Sequence, residues 1–75
     1  NVSNVTNMAD MFNGCEKFNQ DISRWDVSNV EITEFMFFDC KSFDQDISGW
    51  DVSNVENSNN MFHGCSCKKE HMPMI

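Results

Sequence analysis

Apolar positions along this chain change their rhythm halfway through each stretch of 25 residues. From Val5 they fall at Val5, Met8, Phe12 and Cys15, and Val30, Phe37 and Cys40 carry the same stripe one stretch later. Spacings of three and four predict a helix. Ser28-x-x-Glu31 and Ser53-x-x-Glu56 have the form of a capping box, and Gly14 and Gly64 stand where a left-handed residue would close the helix. Asp39, another residue type that tolerates that conformation, holds the equivalent place between them. A helix of about ten residues is marginal in water and must dock on a neighbour. The polar–apolar alternation of KFNQDIS and SFDQDIS then predicts an extended segment. It puts Phe18 and Ile22, or Phe43 and Ile47, on one side, with Asn19, Asp21 and Ser23 facing water. RWDVS and GWDVS form the return, where Asp26 and Asp51 are placed for an Asx bond to the backbone.

These patterns are three copies of one unit. Cut at 25 and 50, the chain aligns without a gap, and VSNV, MF and Cys keep their places in all three blocks. A fixed period in the range of about 20 to 50 residues marks a stacked repeat, in which each unit buries its apolar side against a copy of itself. Strands linked through helical crossovers pair in parallel with right-handed connections. The expected fold is therefore α/β, a short right-handed solenoid of three coils (1–25, 26–50, 51–75) forming one domain over 1–75, each coil a short helix plus a short parallel strand. Beyond Cys65 the third block departs from the rule. There Lys68 replaces Phe, Glu70-His71 replaces Gln-Asp, Pro73 replaces Ser and Ile75 replaces Trp, the pattern expected of a C-terminal cap.

Composition narrows the choice of partners. Twelve Asp and Glu against five Lys and Arg leave a net charge of −7, the wrong sign for neutralising phosphates, so nucleic acid and anionic membrane surfaces are not expected ligands. The longest apolar run, Phe35 to Phe38, is far below the roughly 20 residues that span a bilayer, so no membrane insertion by this segment is expected. The start at Asn1, with no leader, is taken as the beginning of an excised C-terminal piece, with upstream repeats of the same chain as neighbours of the first coil.

The phrase WDVSNVTNM..MF.GC..FNQDIS, whose pieces recur over all 75 residues, resembles the repeats of mycoplasma surface lipoproteins and BspA-like bacterial surface proteins. The resemblance implies a leucine-rich-repeat-related fold. It also implies a surface or secreted protein engaged in adhesion, extracellular or on a cell surface or virion, with no catalytic residues to carry over.

Three columns of residues hold candidate chemistry. Cys15, Cys40 and Cys65 align, with Cys67 beside them. On helices about 8–10 Å apart their thiols would lie beyond the reach of a disulfide, whose Cα atoms stand within about 7 Å, so they read as buried free thiols. A Cys65–Cys67 or Cys40–Cys67 bridge stays open as an alternative, and zinc is disfavoured because Cys65-Ser66-Cys67 is too tight for a pair of ligands. Asp21, Asp46 and His71 form a second column, and Asn1, Asp26 and Asp51 a third. Local capping is preferred over calcium at Asp21 and Asp46, since no loop of the EF-hand type supports an ion. Neither a metal nor a cofactor is expected. His63 near Cys65 lacks an orienting third group, so the chain is read as a non-enzyme. Trp25 and Trp50 are expected in the core, and the sequons at Asn1 and Asn4 are taken as capping residues.

The functional expectation is a non-enzymatic scaffold. Its acidic strand face, carrying Asn19, Asp21, Ser23, Asp44, Asp46 and Ser48, would meet a protein or glycan partner. The alternative is a structural spacer or assembly element with no ligand of its own.

Overall fold

The structure is a computed structural model that describes residues 2–75. The expected α/β solenoid does not form. Among the described residues the sole helical element is a three-residue 3₁₀ turn, Lys69–His71. No sheet is present among them, and pairing of strand type is confined to the parallel bridges Asn7↔Ile32 and Ile32↔Asn57. Both the helices and the strands of a leucine-rich-repeat-like coil are thus missing.

Hydrogen-bond direction explains why the helical stripe does not make a helix. In an α-helix every N–H turns back along its own segment. Here alternate ones do not. Met8, Asp10, Phe12 and Gly14 donate to the carbonyls of Ile32, Glu34, Met36 and Phe38, at 2.7–3.0 Å. Thr33, Phe35, Phe37 and Asp39 repeat this onto Asn57, Asn59, Met61 and His63. The amides between them, Met11, Asn13 and Cys15, donate back to Met8, Asp10 and Phe12 as in consecutive turns. Left-handed residues produce the alternation. Asp10 and Gly14, Phe35 and Asp39, and Asn60 and Gly64 all have positive φ, reversing the winding every fourth residue. Gly14, Asp39 and Gly64 were expected to be left-handed, but they redirect a run of turns where they were assigned to end a helix. The capping boxes are likewise unmade, and the Ser28 and Ser53 hydroxyls donate to Asp26 and Asp51.

The three blocks stack as layers, with corresponding rings superposed. Phe12, Phe37 and Phe62 form a column with centroids 5.4 Å apart at each step, and Phe18 lies 5.6 Å from Phe43. Within a layer, Phe12 stacks on Phe18 and Phe37 on Phe43. The core sits in the middle layer, where Val27, Val30, Met36, Phe37, Cys40, Phe43, Ile47 and Trp50 are buried, because that layer is covered on both sides. Phe12, Phe18 and Trp25 of the first layer are only partly covered. The radius of gyration is 11.0 Å, near the roughly 11 Å of a compact chain of this length.

The recurring phrase DVSNV can be accounted for residue by residue. Asp26 and Asp51 accept the amides of Ser28 and Ser53, at 3.1 Å in both cases. Val27 and Val30 enter the core, and each Val-x-x-Val closes a turn. Asn29 and Asn54 reach back one layer to the carbonyls of Ser3 and Ser28, at 2.9 and 2.7 Å. Asn4 occupies the same column as these two, while Asn1, the first residue of the other sequon and of the Asp26/Asp51 column, lies outside the described residues.

Candidate functional site

The segments expected to be strands, 17–23 and 42–48, are joined across layers chiefly by side chains. Asn19 Oδ1 accepts the Asp44 amide at 3.0 Å and the Gln45 side-chain amide at 2.9 Å. One layer on, Asp44 Oδ1 accepts the Lys68 amide at 3.0 Å. Of the six residues assigned to a binding face, Asn19 and Asp44 therefore hold layers together. Asp21 and Asp46 cap their own turns, accepting the Ser23 and Ser48 amides at 3.0 Å. Hydrogen bonds from the Ser23 and Ser48 hydroxyls and amides hold both carboxyls below the usual range, as those from Ser28 and Ser53 do for Asp26 and Asp51. Asp21, Ser23, Asp46 and Ser48 remain exposed, so the face is a polar ridge built on Asx turns.

At the end of this ridge the third block brings together a different set of groups. Asp44, Cys67 and His71 place a carboxylate oxygen, Sγ and an imidazole nitrogen within 4.8 Å of one another. His71 Nδ1 lies 3.0 Å from Asp44 Oδ1. The Lys69–His71 turn fixes the imidazole beside Cys67, and the Ile47 amide donates to the His71 carbonyl at 2.9 Å, which ties this turn to the middle layer. The Lys68 amide, then the His71 ring and the Lys68 charge, hold the Asp44 carboxyl low. Burial, aided by Cys65, Asp44 and Asp46, pushes the Cys67 thiol up to about 12. At neutral pH this sulfur is a protonated thiol and a poor nucleophile. Cys67 is the cysteine grouped with the His71 imidazole.

The four cysteines are free. The wide helix-to-helix separation used to keep them apart does not exist, since the layers are one backbone hydrogen bond apart. The Cys40 thiol donates to the Phe12 carbonyl at 2.9 Å, and burial raises its pKa to about 11. Sequence reasoning missed the Asp44–Cys67–His71 group because two of its members belong to the block that breaks the repeat. Adding the period to Asp46 gives 71, so the register contained a signal.

A concavity of about 370 Å³ opens at the end of the third layer against Met61, Phe62, Met72, Pro73 and Ile75. Met74 and Ile75, at the end of the third block, are exposed, Met74 at 97%. Among the described residues no helix is long and apolar enough to cross a membrane.

In comparison with known proteins, the family model described as "Mycoplasma protein of unknown function, DUF285" matches residues 1–74. No curated protein and no solved structure matches the chain.

Proposed function

The chain belongs to the mycoplasma protein family of unknown function DUF285, and on that premise we propose that it is a non-enzymatic repeat scaffold of a surface or secreted protein, binding a cationic protein partner. The exposed acidic ridge is the observation that carries the reading. Asp21 and Asp46 stand one layer apart, each held ionised by its own serine, on a chain of net charge −7. Stacked like charges repel. A Lys- or Arg-rich segment along the ridge would relieve that repulsion and gain charge-assisted hydrogen bonds. The surface location, the role in adhesion and the non-enzymatic character rest on the family resemblance.

The spacer reading has its own support, because Asn19, Asp44 and Gln45 spend their polar groups on neighbouring layers. The double variant Asp21→Asn, Asp46→Asn separates the two. Asn keeps the oxygen that caps each turn and removes the charge. A surface bearing a Lys/Arg-rich peptide should capture the parent at low salt and release it as salt rises, and it should capture the double variant at least about tenfold less. Equal capture of parent and variant would leave the spacer.

A further inference from the structure

We propose that Asp44, Cys67 and His71 form a binding site for a divalent ion of the zinc class. The donor set points to that class: one sulfur, one imidazole nitrogen and one carboxylate oxygen suit a borderline-soft ion, whereas calcium and magnesium select oxygen-only shells. Three protein ligands with a fourth position left to water is a recurrent zinc arrangement.

Geometry requires little rearrangement. Bonds of zinc to nitrogen, oxygen and sulfur place neighbouring ligands about 3.3–3.8 Å apart on a tetrahedron. The three donor atoms already lie within 4.8 Å of one another, and the imidazole and carboxylate at 3.0 Å need only open slightly around the ion. Anchored backbones hold two donors. His71 closes the Lys69–His71 turn and its carbonyl accepts the Ile47 amide, and Cys67 is 7% exposed with its thiol 3.8 Å from the Gln45 carbonyl. Asp44 is fixed by the Lys68 amide on Oδ1. Lys68 Nζ stands 4.0 Å from Asp44 Oδ2 at an exposed position from which it can swing away.

The site is peculiar to the third block. Where Cys67 stands, the earlier blocks have Lys17 and Ser42, and where His71 stands they have Asp21 and Asp46. Both donors appear together at the point where the core phenylalanine of that column is lost to Lys68. An ion joining Asp44 of the middle layer to two residues of the last would fasten a layer that has lost part of its apolar adhesion. Binding replaces the thiol proton by the metal and releases it to solvent.

Titration of the reduced 75-residue chain with Co²⁺ tests the site. One equivalent should produce tetrahedral d–d bands and a thiolate-to-cobalt charge-transfer band, both displaced by Zn²⁺. Cys67→Ser should abolish the charge-transfer band, while His71→Gln should weaken binding about a hundredfold. Cys15→Ser, in the first layer, should leave the spectrum unchanged. A parent chain with no charge-transfer band at stoichiometric Co²⁺ overturns the proposal, and so does a band that persists in Cys67→Ser or disappears in Cys15→Ser. Should Cys67→Ser fail to fold, His71→Gln decides by the same spectrum, with undiminished cobalt affinity counting against the site.

Discussion

The indole Nε1 of Trp50 donates to the carbonyl of Ile22 at 3.1 Å, a buried bond between groups 28 residues apart in the chain. It makes Trp50 a polar tie between layers as well as a core ring. Trp50→Phe keeps most of the apolar area and removes one of the two donors on the Ile22 carbonyl, which still accepts the Trp25 amide at 3.1 Å. The loss of that bond costs about 0.5–1.5 kcal/mol. Thermal unfolding should show a melting temperature lower by about 4–8 °C per kcal/mol, and Trp25→Phe, at a half-buried position, should show a smaller drop. An equal response from both would deny the tie.

Thr33 is buried, and its hydroxyl has no hydrogen-bond partner among the described residues. Its column neighbours are Met8 and Ser58. Thr33→Val replaces an unsatisfied hydroxyl with a methyl of nearly the same shape, so stability should rise by about 1 kcal/mol. Chemical denaturation would register this as a higher midpoint with an unchanged slope.

Phe35 and Phe37 should respond in opposite directions although they share one turn run. Phe35 is half-buried with φ of 58°, a conformation that costs a bulky L-residue about 1–2 kcal/mol. Its counterparts are Asp10 and Asn60, types that tolerate it. Phe35→Asn gives up the edge contact with Phe38 and removes that cost, for a net gain of about 0.5 kcal/mol. Phe37→Ala removes the centre of the aromatic column and should cost about 3–5 kcal/mol. Loss of stability in Phe35→Asn would mean that its ring contact outweighs the backbone term.

Gly14 and Gly64 share a left-handed backbone and differ in their surroundings. A Cβ on Gly14 meets nothing within 4 Å, whereas one on Gly64 collides with the Asp39 carboxylate. Gly14→Ala should therefore cost about 1 kcal/mol for φ alone, and Gly64→Ala more. Asp39→Gly in the Gly64→Ala background should recover the excess. A double-mutant cycle with no coupling would refute the clash.

Stability should form a plateau in pH bounded by two sets of groups. Asp26 and Asp51 are held below the usual carboxyl range by Ser28 and Ser53, so their contribution is present above the unfolded value near 3.8 and is lost as pH falls through the lower folded values. Cys40 is raised from 9.0 to about 11 and Cys67 to about 12, so their contribution is complete below 9.0 and is lost as pH rises through those values. Melting temperatures should fall on both sides, and Cys40→Ala should flatten the alkaline limb while lowering the whole curve.

The sequence by itself determined the period, the register and the inward residues. Identical residues 25 positions apart lower their free energy by stacking on each other whatever the backbone between them does. Phe18 on Phe43 and Phe12 on Phe37 follow from this, as do the left-handed places at Gly14, Asp39 and Gly64 and the Asx turns at Asp26 and Asp51. Tertiary structure alone decided where the amides point. A stripe at spacings of three and four fits a helix and equally fits a run of turns. With layers one hydrogen bond apart, N–H groups donated to the next layer replace those a helix would donate to itself. The same closeness brought Asp44 to Cys67 and His71: the period places His71 in the Asp46 column, but not Cys67 beside Asp44, because there the third block breaks the rule.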